Sequence, residues 1–230
     1  MNTSEPDRLF LHEQIILLCL KDARGTFVCG TNASFAMAGA ALSELLLMER
    51  LAIEGEGRSE RVVLQDASSA GDPVLDECLA LVADSRPRSP RDWITRFARI
   101  RDVTHRVAQG LARRGILRAD EKSVLLIFSR RIYPEVDAAP ERDLIERMRA
   151  AILDSEGPVD PMVAMLIAVA RGADLLRHVF DKADLKAASA RLDRIVANDP
   201  GGQATQAAVK AMQAAAATAA IVASSAAVIS

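Results

Sequence analysis

At 230 residues, half of them apolar, the chain is long enough for one domain with a substantial core, or for two small ones. Aromatics make up only 3% and alanine supplies much of the apolar half, which favours closely packed helices over an aromatic-rich β-sandwich. The net charge of −2 and pI near 6.0 exclude a uniformly basic chain, so any basic surface must be gathered locally.

The first ten residues are acidic and polar, which rules out a secretory signal. Residues 1–8 read as a disordered N-terminus. From Leu9 to Leu20 the spacing of Leu9, Ile15, Ile16, Cys19 and Leu20 predicts an amphipathic helix, too short and too polar to span a bilayer. It stops near the turn from Asp22 to Gly25. A second helix is expected from Phe35 to Met48, with Ala36, Ala38, Gly39, Ala40 and Ala41 allowing close contact. Arg50–Glu54 and Arg61–Leu64 predict a short hairpin around Gly55 and Gly57. Asp72 can cap a helix whose first position is Pro73. Ser89, Pro90 and Asp92 give a second start signal, a capping box with proline just inside.

That box opens the most informative segment. Ten arginines fall between Arg86 and Arg118, opposed only by Asp92 and Asp102. Such a patch suits an anionic partner: phospholipid headgroups, nucleic acid or an acidic protein surface. Solvated helix faces neutralised by acids elsewhere are the simpler alternative. The helices break at Gly115, and Ile116–Arg118 with Val124–Phe128 predict a hairpin around residues 119–122. Helices follow at 141–153, 160–180, 186–196 and from Gln206 onward, with 223–230 as a frayed end. The uncharged run from Ala211 to Ser230 is long enough to span a bilayer but nearly all alanine, serine and threonine, and reads as a packing helix. The fold class is mainly α: a single helical domain, 9–222, with two small hairpins.

Enzymatic chemistry has little support. His12, His105 and His178 lie far apart, and His12-Glu13 lacks the second histidine of a zinc-protease helix. Nucleophile-elbow, Walker and dinucleotide motifs are missing. Asp72, Asp76 and Glu77 could form a carboxylate cluster, but capping and placement in a helix's first turn explain them more simply. Trp93 reads as a core anchor. Cys19, Cys29 and Cys78 form no CxxC pair and read as buried thiols in a reducing compartment. No metal or cofactor is expected.

In order along the chain, Leu9–Leu18 with Leu20-Lys-Asp22, Ala38–Leu45, Gly71–Glu77, Pro90–Ile94, Arg101-Asp-Val103 running on to Arg113–Leu117, and the hairpin to Tyr133-Pro134 resemble the Golgi phosphoprotein 3 family. Its members are phosphatidylinositol-4-phosphate effectors of the eukaryotic Golgi, with shorter relatives in many bacteria. The resemblance implies helices around a central four-helix bundle, and a hairpin that engages membrane or a neighbouring protomer. It also implies no enzymatic activity, an adaptor role toward client protein tails, and a place on the cytoplasmic face of a membrane. In eukaryotic members a tryptophan and three basic residues hold the headgroup; the matching positions here carry Gly30, Ala38, Arg101 and Thr104, so Arg101 alone is kept. Arg101, Arg99 and Arg106 are therefore the expected headgroup-binding residues, and Leu125 and Phe128 the expected membrane-contacting pair. Alanine- and arginine-rich usage leans toward a bacterial member. Two other functions fit the same residues: a winged-helix-like nucleic-acid binder, with Arg130 and Arg131 behind its wing, or a protein adaptor with no lipid role.

Overall fold

In the computed structural model, residues 8–21, 25–27, 31–124, 128–154 and 157–197 are described. Helix α1 (Leu11–Leu18) is followed by the short antiparallel pair β1 (Leu20–Lys21) and β2 (Thr26–Phe27), then by α2 (Thr31–Leu47). A hairpin of β3 (Leu51–Glu54) and β4 (Arg61–Leu64) leads to α3 (Pro73–Ala83), α4 (Pro90–Ala98) and α5 (Val103–Arg113). A second hairpin, β5 (Asp120–Val124) and β6 (Phe128–Ile132), precedes α6 (Ala139–Arg149), which runs into a π-helical turn over Ala150–Asp154. Four helices close the described chain: α7 (Pro161–Gly172), α8 (Leu176–Val179), α9 (Lys182–Ala187) and α10 (Ser189–Ala197).

The architecture is mainly helical with short antiparallel strand pairs, as the composition predicts. Its axis is the pair α1–α2. Both helices also pack on α5 and α7, giving a four-helix centre, with α3 and α4 outside α2, α6 outside α1, and α10 on α7. Ala36, Ala38, Ala40 and Ala41 of α2 are all buried, so the small side chains fall where α2 meets its neighbours.

Three expectations need correction. The first helix is not amphipathic: every residue of α1 is buried, including His12, Glu13 and Gln14. A helix enclosed on all sides has no solvated face, so its polar groups depend on internal partners, which Glu13 and Gln14 find while Nδ1 of buried His12 finds no hydrogen bond among the described residues. Glu13 accepts the Phe10 N–H at 2.9 Å and pairs with Arg114 at 2.8 Å, while Gln14 donates to the Leu9 carbonyl at 2.9 Å.

The second hairpin is displaced along the chain. Its strands pair from Asp120↔Ile132 to Val124↔Phe128, so Val124 and Phe128, the two ends of the apolar run, belong to different strands. Ile116–Arg118 forms no strand of this hairpin. Ile116 and Leu117 are buried, the Ile116 carbonyl accepts the Val136 N–H at 2.9 Å, and Arg118 N–H donates to Pro134 at 2.9 Å. Gly115, at φ +78°, turns the chain from α5 into this segment, whose backbone groups are taken by residues 134–137.

The long helix expected over 160–180 is divided. Asp174 takes the left-handed conformation (φ 61°), Leu175 N–H bonds back to Ala170, and α8 starts afresh. The 186–196 element likewise splits at Ala188 into α9 and α10. The helix expected from Gln206, and the segments 1–7 and 223–230, lie outside the described residues.

The β3–β4 hairpin and both helix starts fall where the sequence places them. Asp72 accepts from the Val74 and Leu75 N–H groups at 2.8 and 2.9 Å, and Ser89 accepts from Asp92 N–H at 3.2 Å. Trp93, fully buried, is a core anchor against Phe97.

Gly25 joins β1–β2 to the base of the second hairpin. Its carbonyl accepts the Tyr133 N–H at 2.7 Å, and at φ +57° a Cβ would run into the Tyr133–Pro134 backbone. Gly25→Ala is expected to destabilise the fold by about 1–3 kcal/mol, the usual cost of overpacking a filled site. Urea denaturation measures it, and an unchanged midpoint would refute the contact.

Candidate functional site

Helix α4 buries Pro90, Trp93, Ile94 and Phe97, which leaves Arg91, Arg96 and Arg99 on the exposed side. Arg91, Thr95 and Arg99, spaced by four, form a row along that side. The Arg96 guanidinium lies 5.5 Å from the Trp93 ring centre. Among the described residues Arg91, Arg96 and Arg99 make no ion pair with an acidic side chain. Elsewhere in the segment, Arg114 binds buried Glu13 and Arg118 lies 3.7 Å from Asp120.

Of the three arginines singled out by sequence, two share this outer surface. Arg101 is 97% exposed in the link between α4 and α5, and Arg99 is exposed at the end of α4. Arg106 is committed elsewhere: half-buried on α5, it pairs with Glu77 of α3 at 2.5 Å. Thr104 is half-buried in the first turn of α5 and Ala38 is fully buried on α2, while Gly30 lies outside the described residues. Leu125 also lies outside them; Phe128 is the first residue of β6, and its side chain is outside the description.

Sequence reasoning missed the contacts that tie the second hairpin to α5. Arg131 of β6 donates to Asp102 at 3.0 Å, and Nδ1 of His105 lies 3.1 Å from the hydroxyl of buried Tyr133. The Phe27 ring stands edge-on to His105. Burial pushes the Tyr133 phenol up, with Arg131 opposing and Asp102 reinforcing the shift. Only the position of Asp102, immediately before an apolar-periodic run, could have drawn attention to it, and that position signals a helix cap rather than a strand partner.

The carboxylates of the candidate cluster have structural employment. Asp72 caps α3 and lies 3.3 Å from Nε2 of buried His12. Asp76 accepts from the Ala70 N–H and the Ser69 hydroxyl, both at 2.7 Å, and Glu77 holds Arg106. Cys19 and Cys78 are buried; burial drives the Cys78 thiol far above its ordinary value, so it is not a ready nucleophile. No group of three potential metal ligands occurs among the described residues. A groove of about 1210 Å³ between the N-terminal residues and α6–α7 is lined by Arg8, Arg114 and Arg147 but equally by Asp137, Asp143 and Asp160. That balance gives it no preference for an anion.

Among the described residues no helix is long and apolar enough to cross a membrane. The described residues thus form a mainly helical protein with exposed arginines at 91, 96 and 99 on one side of α4. The chain belongs to the Golgi phosphoprotein 3 (GPP34) family, whose model matches residues 11–214. It is similar to vacuolar protein sorting-associated protein 74 of Eremothecium gossypii, 29% identical over a match covering 66% of this chain and 51% of that protein. The chain thus spans about half the length of this fungal relative, which gives no support to the bacterial source that composition suggests.

The buried carboxylates set a pH dependence of their own. Burial pushes Glu44 above its ordinary 4.5, against the Leu11 N–H at 2.6 Å and the charge of Arg8. A raised value in the fold means stability that is full below 4.5 and lost as pH rises through the folded value. Asp72 acts in the opposite sense. Its burial is outweighed by His12 and by the Leu75 and Val74 N–H groups, so its value is lowered and its stabilisation is lost only as pH falls below 3.8. Glu44→Gln keeps an oxygen for Leu11 without the charge. Its stability relative to the parent chain is expected to improve from pH 4 to pH 7 in parallel denaturant titrations; a constant difference would refute the assignment.

Proposed function

We propose that this chain is a peripheral membrane protein and adaptor, without enzymatic activity, that binds anionic phospholipid headgroups through Arg99 and Arg101 and the neighbouring arginines of α4. The observation that carries the reading is the exposed set Arg91, Arg96 and Arg99, without an acidic partner among the described residues, beside exposed Arg101 on a chain whose net charge is −2. Family membership supports a phosphatidylinositol-4-phosphate-like headgroup, and client protein tails as partners. Gly30, Ala38 and Thr104 at the matching pocket positions, with Arg106 engaged by Glu77, support broad headgroup selectivity.

Each arginine near an anionic surface contributes about 1 kcal/mol, so four give roughly 4 kcal/mol, too little for lasting attachment. Leu125 and Phe128 would supply the second signal, about 1.5–3 kcal/mol for each side chain inserted. Two such signals make binding reversible but useful, on the cytoplasmic face of a membrane. The same hairpin is the proposed contact for a second copy of the chain.

Vesicle sedimentation tests the basic face. Binding to phosphatidylglycerol vesicles is expected at low salt and should fall sharply at high salt, since charge is screened over about 8 Å at physiological ionic strength. Arg101→Ala should weaken binding to phosphatidylglycerol and phosphatidylinositol 4-phosphate by similar, modest factors, and Arg106→Ala should do less. A tenfold or greater phosphoinositide preference, abolished by Arg101→Ala, would establish a strict pocket instead. Binding to duplex DNA in place of vesicles would favour the nucleic-acid reading.

The hairpin has a separate test. Replacing Leu125 and Phe128 together by serine should weaken vesicle binding with little change in melting temperature. Unchanged affinity with a loss of about 2–5 kcal/mol in stability would place them in the core.

A further inference from the structure

Asp102 occupies the N-cap position of α5 yet does not cap it. An aspartate there ordinarily accepts an N–H from the first turn. Here the backbone is left-handed (φ 53°, ψ 24°), and the carboxylate instead holds Nη2 of Arg131 at 3.0 Å and lies 3.9 Å from Nε of Arg101. It therefore sits between exposed Arg101 and an arginine of the hairpin. Glu121 is the cross-strand partner of Arg131, but the two side chains make no ion pair among the described residues.

The hairpin is thus fastened at two levels of different strength. Its base is held by buried Tyr133, through the Gly25 carbonyl and His105. One residue beyond the end of that base, at Arg131, the clamp to Asp102 is open to water, with both side chains about 40% exposed. Exposed pairs of this kind are weak and exchange readily. A phosphoryl group offers arginine more oxygens and more negative charge than one carboxylate.

Resting on the lipid reading proposed above, we infer that Asp102 is a resident substitute for the phosphoryl group of an anionic lipid headgroup: the headgroup displaces it from Arg101 and Arg131, and the same exchange releases β6 from α5. Headgroup capture and freedom of the hairpin then become one event. Arg131 counts as part of the basic face only when Asp102 has let it go.

Asp102→Asn suits the test, because asparagine tolerates the left-handed backbone and retains the shape. Asp92→Asn, at another exposed acid of the same stretch whose carboxylate accepts the Ser89 hydroxyl, reports the general effect of removing one negative charge. Affinity for phosphatidylglycerol vesicles is measured for both, alone and combined with Arg131→Gln. Asp102→Asn should tighten binding about two- to fivefold beyond Asp92→Asn, the range for an exposed ion pair, and that excess should vanish with Arg131→Gln. Hydrogen exchange at the β6 amides should quicken in the parent chain on adding vesicles, and already be quick in Asp102→Asn without them. Equal tightening by the two asparagine variants, or an excess that survives Arg131→Gln, overturns the inference while leaving the lipid reading intact. If the parent chain ignores anionic vesicles at low salt, the lipid reading itself fails; slow β6 exchange in Asp102→Asn without vesicles would then separately refute the clamp.

Discussion

The close contact between α1 and α2 is the constraint on which the other elements depend. Small buried residues of α2, Ala36, Ala38, Ala40 and Ala41, let its neighbours pack closely, and Glu44 reaches the first turn of α1 and takes the Leu11 N–H. A buried carboxylate is costly unless its hydrogen bonds are met, and Glu44 meets them with that N–H and with Arg8. Glu13 does the same from the other helix, with the Phe10 N–H and Arg114. The start of α1 is therefore fixed by two acids, each served by one backbone donor and one arginine.

That arrangement divides the arginines into two populations. Arg106 and Arg114 are drawn inward by Glu77 and Glu13, and so bind α5 to α3 and α1. Arg91, Arg96 and Arg99 ride on a helix whose other side is filled by Trp93, Ile94 and Phe97, and they stay outside without acidic partners among the described residues. The basic segment is thus both structural and free, and helical periodicity decides which arginine is which. Surface charge of the free kind is what the anionic partner proposed above would meet.

The second hairpin depends on this centre indirectly. Residues 115–118 lie over the end of α5 and pair with residues 134–137, which pins both of its ends. Tyr133 is buried beside His105 and Phe27, and Asp102 reaches across to Arg131. The hairpin's root belongs to the core, while the end where Val124 meets Phe128 lies four pairs away from the root.

Local chemistry was legible in the sequence wherever a single turn or cap determines structure. Asp72 with Pro73, Ser89 with Pro90, the Gly55–Gly57 hairpin and the break at Gly115 all depend on neighbours within a few residues, and each falls where it is read. The mainly helical class followed from alanine content and few aromatics, and the ordered motifs carried the family. What the sequence could not reveal lies in contacts between distant residues. Whether α1 has a wet face depends on how many helices surround it, and whether 124–128 is a strand depends on which segment residues 116–118 choose to pair with. Arg99, Arg101 and Arg106 look alike in the chain; only the tertiary structure sets Glu77 beside one of them and solvent around the others. Asp102 stands in the sequence only as an acid among arginines, and it becomes a clamp because folding brings Arg131 from 29 residues away. Charge pairing is decided by distance in space, and distance in space is the quantity a sequence does not carry.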